Sequence, residues 1–173
     1  MNKNKKNNQK NRQQFQQQGK QQQQQQKQSG QQPQELSYYR LLLLSFLKES
    51  HPELAGDSNF IAARADSASE EYSESVRSGS THDAASEAAN QVLFAGLHFS
   101  KYDVIVTVLW NEFNDEVPQG SAKTLALQLL PVCEEVFSKY PLSDDFQFEP
   151  AFDNLYTEIT GTILIWLDEN GIQ

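Results

Sequence analysis

The sequence predicts an all-α protein, a compact single domain of about six helices behind a disordered N-terminal arm. Three observations carry that expectation. Composition changes abruptly near residue 34, apolar residues recur at helical spacing in six bracketed segments, and no stretch alternates at period two.

Residues 1–34 hold seven Lys or Arg and no acid, whereas residues 35–173 hold the other seven cations and all 23 carboxylates, a formal charge of −16. The arm has 21 Gln or Asn, including the run Gln21 to Gln26, and only Met1 and Phe15 as large apolar side chains. So little apolar surface cannot offset roughly 1–2 kcal/mol of backbone entropy per ordered residue, and disorder is expected. Lys, Asn and Gln share adenine-rich codons, so the arm reads equally as a functional extension or as a translated leader upstream of another start. Residues 35–173 suit one acidic helical domain, long enough to build a core without staples.

The first helix is expected over 35–50, with Leu36, Tyr39, Leu43, Phe46 and Leu47 on one face and His51-Pro52 as its stop. A second, from Asp57 or Ser58 to about Ser78, has Ile61, Ala65, Ala68, Tyr72 and Val76 on its apolar side and ends at Gly79. Ser80-Thr81-His82-Asp83 has capping-box spacing for a third helix to about His98. That helix is rich in alanine and is expected to be central. Ser100 to Asp103 repeats the spacing and opens a fourth, to about Glu116. Its Val104 to Val108 run is β-branched, but Tyr102, Ile105, Leu109 and Phe113 share a helical face. The fifth, 121–140, contains Pro131 and should kink or divide there. Phe146 and Phe148, at strand-like spacing in the next connection, are expected to point inward. Pro150 opens and Gly171 closes the last helix, whose face is Phe152, Leu155, Tyr156, Ile159, Ile163, Trp166 and Leu167.

Chemistry has few footholds. Cys133 is the sole cysteine, which excludes an internal disulfide and any multi-cysteine metal site and leaves a buried packing role as the expectation. The residues three before His51, His82 and His98 are Lys48, Gly79 and Ala95, so the Glu-x-x-His pairs of a di-iron bundle are missing. HExxH, Gly-rich phosphate-loop and Gly-x-Ser-x-Gly patterns do not occur either. No catalytic residue, metal site or cofactor is expected. The apolar run Leu41 to Leu47 is too short for a membrane span, and Lys48-Glu49 stands where a signal peptide would need small residues, so a cytoplasmic protein is expected without membrane contact.

Charge is more informative. Asp66, Glu70 and Glu74 follow one another at i, i+4 and i+8 on the second helix, with Arg77 alone placed to relieve Glu74. Glu112, Asp115 and Glu116 follow Trp110, an aromatic that could anchor a contact rimmed by carboxylates, and Glu134-Glu135 forms a third group. These nine residues are the candidate interaction surface, set against the plainer view of a solvated acidic exterior that maintains solubility. The expected partner is a basic protein, and weak sequence-independent nucleic-acid contact is open to the arm alone.

Ala62 to Asp66, Leu93 to Ser100, Leu109 to Phe113 and Tyr156 to Thr162 resemble the corresponding stretches of the domain-of-unknown-function 1896 family, small helical proteins of anaerobic gut-type bacteria often encoded on conjugative elements. The resemblance spans nearly all of 35–173 and not the arm. It implies an all-helical fold and a mobile-element setting, and it assigns no activity.

The expected function is therefore that of a non-enzymatic interaction module, an accessory factor of a mobile element. Its alternatives are an acidic decoy of a nucleic-acid-binding protein and an enzyme whose site is assembled from dispersed residues. A cleft gathering histidines and carboxylates would favour the enzyme, and a continuous acidic face the partner readings. Removal of residues 1–34 is expected to change stability by less than about 0.5 kcal/mol. Circular dichroism melting checks this, and a large fall in the midpoint would show the arm packed on the domain.

Overall fold

A computed structural model describes residues 32 to 171, and the greater part of the arm lies outside them. The described residues form six α-helices, one 3-10 turn and no strand: α1 (Gln32–Ser50), α2 (Ser58–Arg77), α3 (His82–Phe94), α4 (Lys101–Glu112), α5 (Gln119–Phe137), the 3-10 turn Phe146–Phe148, and α6 (Ala151–Glu169).

The helices gather around two apolar clusters. Leu43 and Leu47 of α1, Ile61, Ala65 and Ala68 of α2, and Ala89 and Leu93 of α3 form the first. Among the described residues the α2–α3 pair makes the most extensive helix–helix contact, and α1 packs mainly on α2. Ala65, Ala68, Ala85 and Ala89 are all wholly inaccessible, so the alanines of α3 serve one close pairing with α2 and do not make it the hub of the domain. The second cluster joins α4, α5 and α6 through Ile105, Leu109, Leu129, Cys133, Phe137, Leu155, Ile159 and Ile163, with Phe146 of the 3-10 turn inserted among them.

Local chemistry sets the ends. Asp57 accepts from the Phe60 amide and starts α2. Thr81, not Ser80, caps α3 by accepting from the Ala84 amide. Ser100 caps α4 by accepting from the Asp103 amide at 2.9 Å. Gly79 and Gly171 have φ of 95° and 70°, the left-handed conformation that ends α2 and α6 at little steric cost.

Further expectations change. α3 stops at Phe94 and not near His98, because Ala95 is extended and Gly96 turns left-handed at φ 75°. α4 ends at Glu112, four residues early. α5 runs through Pro131 undivided; the Leu127 carbonyl that loses its amide partner belongs to a residue exposed on the outer face, where water can replace it. Phe148 is 78% exposed while Phe146 is fully buried. A 3-10 turn advances about 120° per residue, so positions two apart diverge where a strand would align them. The β-branched run of α4 is helical, and it looks strand-like because Val104, Ile105, Val106 and Val108 are all buried, leaving little polar face to mark the period.

Candidate functional site

Between the two clusters runs the connection Ala95–Ser100. Leu97 turns into the first cluster, and Phe99 packs against the second, edge-on to Phe146 with ring centroids 5.5 Å apart. Arg64 of α2 donates to the Val92 and Ala95 carbonyls at 3.0 and 2.7 Å, satisfying the C-terminal end of α3. From the other half, Asp144 accepts the Gly96 amide at 2.8 Å and the His98 amide at 2.9 Å. Those two bonds hold its carboxyl below the usual range in spite of burial.

At this junction lies a cleft of about 480 Å³. Leu54, Leu97, Phe99, Leu130, Pro131 and Leu142 supply its apolar wall, and His51, Glu53, Lys101, Glu134 and Asp144 its polar edge. Lys101 of α4 donates to both oxygens of Glu134 on α5, at 2.8 and 2.9 Å, and its ammonium stands 5.6 Å from the Phe137 ring centroid. This closed pair fixes α4 on α5 and leaves the lysine little charge to offer.

His51 is the buried member, 5% exposed. Its Nε2 lies 2.8 Å from the Leu97 carbonyl and its Nδ1 3.4 Å from Glu53 Oε1, so both ring nitrogens face acceptors. Burial pushes the ring's pKa down, but the Glu53 bond, the Leu97 carbonyl and the charges of Glu53 and Asp103 outweigh it and leave the ring above its ordinary value. It follows the last residue of α1, where a cation is favoured by the helix dipole, while Asp103 sits in the first turn of α4, where an anion is. Burial raises the Asp103 pKa even against hydroxyl bonds from Ser50 and Ser100. The Ser100 hydroxyl also donates to the Ser50 carbonyl, so the end of α1 and the start of α4 are stitched together beneath the cleft.

Of the nine acidic and aromatic candidates, the structure brings only Glu134 to this cleft. Asp66 is paired across helices with Arg40 at 3.2 Å, Glu74 with Arg77, and Glu70 between them has no ion pair among the described residues. The Arg40 contact was invisible to spacing along one helix. Trp110 is 39% exposed at the far end of α4. Glu112 accepts from the Tyr156 hydroxyl at 2.9 Å, and Glu116 borders a shallow hollow of about 360 Å³. Lys101 and Glu112 are eleven residues apart on α4, about 16 Å at 1.5 Å per residue, so the Trp110 group and the Glu134 group are separate features. Asp115 and Glu135 are exposed.

His82 stacks on Tyr72 and shares a 2.8 Å bond with its hydroxyl at the start of α3, and His98 is exposed. Burial pushes the Cys133 thiol up to about 11, so it is neutral and packs as a hydrophobe. Among the described residues no group of three or more His, Cys, Asp or Glu is placed to hold a metal ion, and no helix is long and apolar enough to cross a membrane. In the sequence His51 reads as part of a helix stop and, from the absence of Glu-x-x-His spacing, as no metal ligand; its place in the junction is not visible there. The signal available was a cation-capable side chain just past a helix C-terminus; its acceptor lies 46 residues away.

Curated proteins offer no match. The crystal structure of protein PG0816 from Porphyromonas gingivalis is similar to this chain, with a TM-score of 0.78 and 43% identity over 82% of this chain and 96% of that one. The model of a family described as a domain of unknown function, DUF1896, matches residues 31–172, and with that span the chain belongs to this family.

Proposed function

We propose that this protein is a non-enzymatic interaction module whose cleft at the α1/α4 junction receives an apolar, basic segment of a protein partner, in the mobile-element setting implied by the family resemblance. One observation carries the proposal: every polar group at the cleft edge is already engaged within the protein. His51 is held by Leu97 and Glu53, Lys101 by Glu134, and Asp144 by two amides. What remains for a partner is the apolar wall and a rim on which three carboxylates, Glu53, Glu134 and Asp144, outnumber the cations Lys101 and, when protonated, His51. Apolar anchoring within a charged rim is the usual division of labour at protein interfaces.

The enzyme reading has one observation in its favour, because His51 and three carboxylates do share a cleft. General acid–base work, however, needs a proton that substrate can reach. The imidazole is nearly inaccessible, with Nε2 held by the Leu97 carbonyl and Nδ1 covered by Glu53, so a substrate would have to displace Glu53 before it could reach the ring's proton.

Leu130→Arg tests the binding proposal by placing a long cation in the half-buried wall. Quantitative capture of partners from the native host should lose at least tenfold in the variant, with an unchanged circular dichroism spectrum. Retention by Leu130→Arg combined with loss on reversing Asp66, Glu70 and Glu74 would move the interface to α2.

A further inference from the structure

We propose that His51 is a protonation-dependent latch that sets the position of Glu53 at the mouth of the cleft, so that the cleft's form follows pH. The latch itself stands on the geometry of the ring, and its consequence for a partner rests on the cleft being the binding site.

An imidazolium carries two N–H groups and a neutral imidazole one. Both nitrogens of His51 face oxygen acceptors that carry no proton to give back, the Leu97 carbonyl at 2.8 Å and Glu53 Oε1 at 3.4 Å. The protonated ring satisfies both. A neutral ring must release one, and the structure says which. The Leu97 bond is short and buried, and losing it would strand a carbonyl in the junction. The Glu53 contact is longer, and the Glu53 side chain is 40% exposed, so its carboxylate can turn to water. Neutral His51 therefore keeps Nε2–H on Leu97 and presents the Nδ1 lone pair to the Glu53 carboxylate, which is repelled from the ring. The Phe46 ring, 5.8 Å away, backs the imidazole.

Other charges around the ring act in the same sense or weakly against it. Asp103, from the first turn of α4, favours the cation. Lys101, from the same turn, draws Glu53 toward itself but is closed on Glu134 of α5. Asp144 faces the cleft from the α5–α6 connection, and His98, next to Leu97, is exposed and interacts with Asp144. With its pKa raised above 6.5, His51 holds the latch closed below that value and releases it as pH rises through the folded pKa.

Long-range 15N–1H correlation spectra of the full chain, recorded from pH 5 to 9, read the latch directly. His51 should titrate with a midpoint above the ordinary 6.5, and above that midpoint it should show the Nε2–H tautomer. Glu53→Gln, at a partly exposed site, should fold normally and lower the His51 midpoint by about one pH unit, the effect of removing an adjacent opposite charge. An Nδ1–H tautomer, or a midpoint unmoved by Glu53→Gln, overturns the latch. Partner capture by wild type should differ between pH 6 and pH 8, and in Glu53→Gln that difference should shrink. Equal capture at both values from a partner that Leu130→Arg abolishes overturns the link between latch and cleft. A partner indifferent to Leu130→Arg overturns the binding-site proposal instead and leaves the spectra to decide the latch.

Discussion

Phe146→Ala is expected to destabilise the protein by about 3–5 kcal/mol, whereas Phe148→Ala should change stability by less than about 0.5 kcal/mol. Phe146 is wholly inaccessible, and its ring lies 5.5 Å from Phe99, 5.8 Å from Tyr140 and 6.5 Å from Phe152, in edge-on arrangements that stabilise beyond area alone. It is inserted in the cluster that α4, α5 and α6 form, so its removal leaves a cavity among three helices. Phe99 belongs to the α3–α4 connection that walls the cleft, hence the loss should also reach the junction. Urea unfolding monitored by circular dichroism decides the matter: similar midpoints for the two alanine variants would mean that the 3-10 turn does not key the second cluster.

The contrast between these two phenylalanines shows what the sequence could and could not convey. Helices were legible because they are local objects. Ser100 three residues before Asp103, Gly79 after Arg77, and the face Leu155, Ile159, Ile163, Leu167 all declare themselves within a few turns. A three-residue 3-10 turn carries no period, and Phe146 and Phe148 therefore looked alike. The end of α3 was misplaced for a related reason: Leu97 and Phe99 are as apolar as the helix before them, and only their destinations in two different clusters distinguish them.

The site was less legible because its bonds are long in sequence. Arg64 to Ala95, Lys101 to Glu134, Asp144 to Gly96 and His51 to Leu97 span 31 to 48 residues, and no spacing rule reaches across them. The stretches that carry the family resemblance nevertheless fall into two contacting pairs. Arg64, in Ala62 to Asp66, caps the helix end next to Gly96-Leu97, in Leu93 to Ser100. Asn111 and Glu112, in Leu109 to Phe113, both bond the Tyr156 hydroxyl at the start of Tyr156 to Thr162. The motifs are thus the joints of the fold, which is why they identified a lineage without naming a chemistry.

Asp144→Ala is expected to cost about 1–2 kcal/mol. A charge-assisted hydrogen bond contributes roughly 1.5–3 kcal/mol when buried, and partial exposure of this carboxylate discounts the pair of them. The loss should fall on the junction, because the freed Gly96 and His98 amides lie in the segment that joins the two clusters and Gly96 holds it in a left-handed turn. Its pH dependence has a definite sign. Asp144 has a folded pKa below the ordinary 3.8, so its contribution is present above that value and disappears as pH falls through the folded pKa. Asp144→Asn keeps one carbonyl acceptor but neither the charge nor the second oxygen, so it should lose less than Asp144→Ala at pH 7 while flattening the acid limb of the stability curve to the same extent. Thermal unfolding of the three proteins between pH 2 and 7 separates the contributions. An Asp144→Ala variant as stable as wild type at pH 7 would mean that the two amides are served as well by water, and that the α3–α4 connection is held by Arg64, His51 and Ser100 alone.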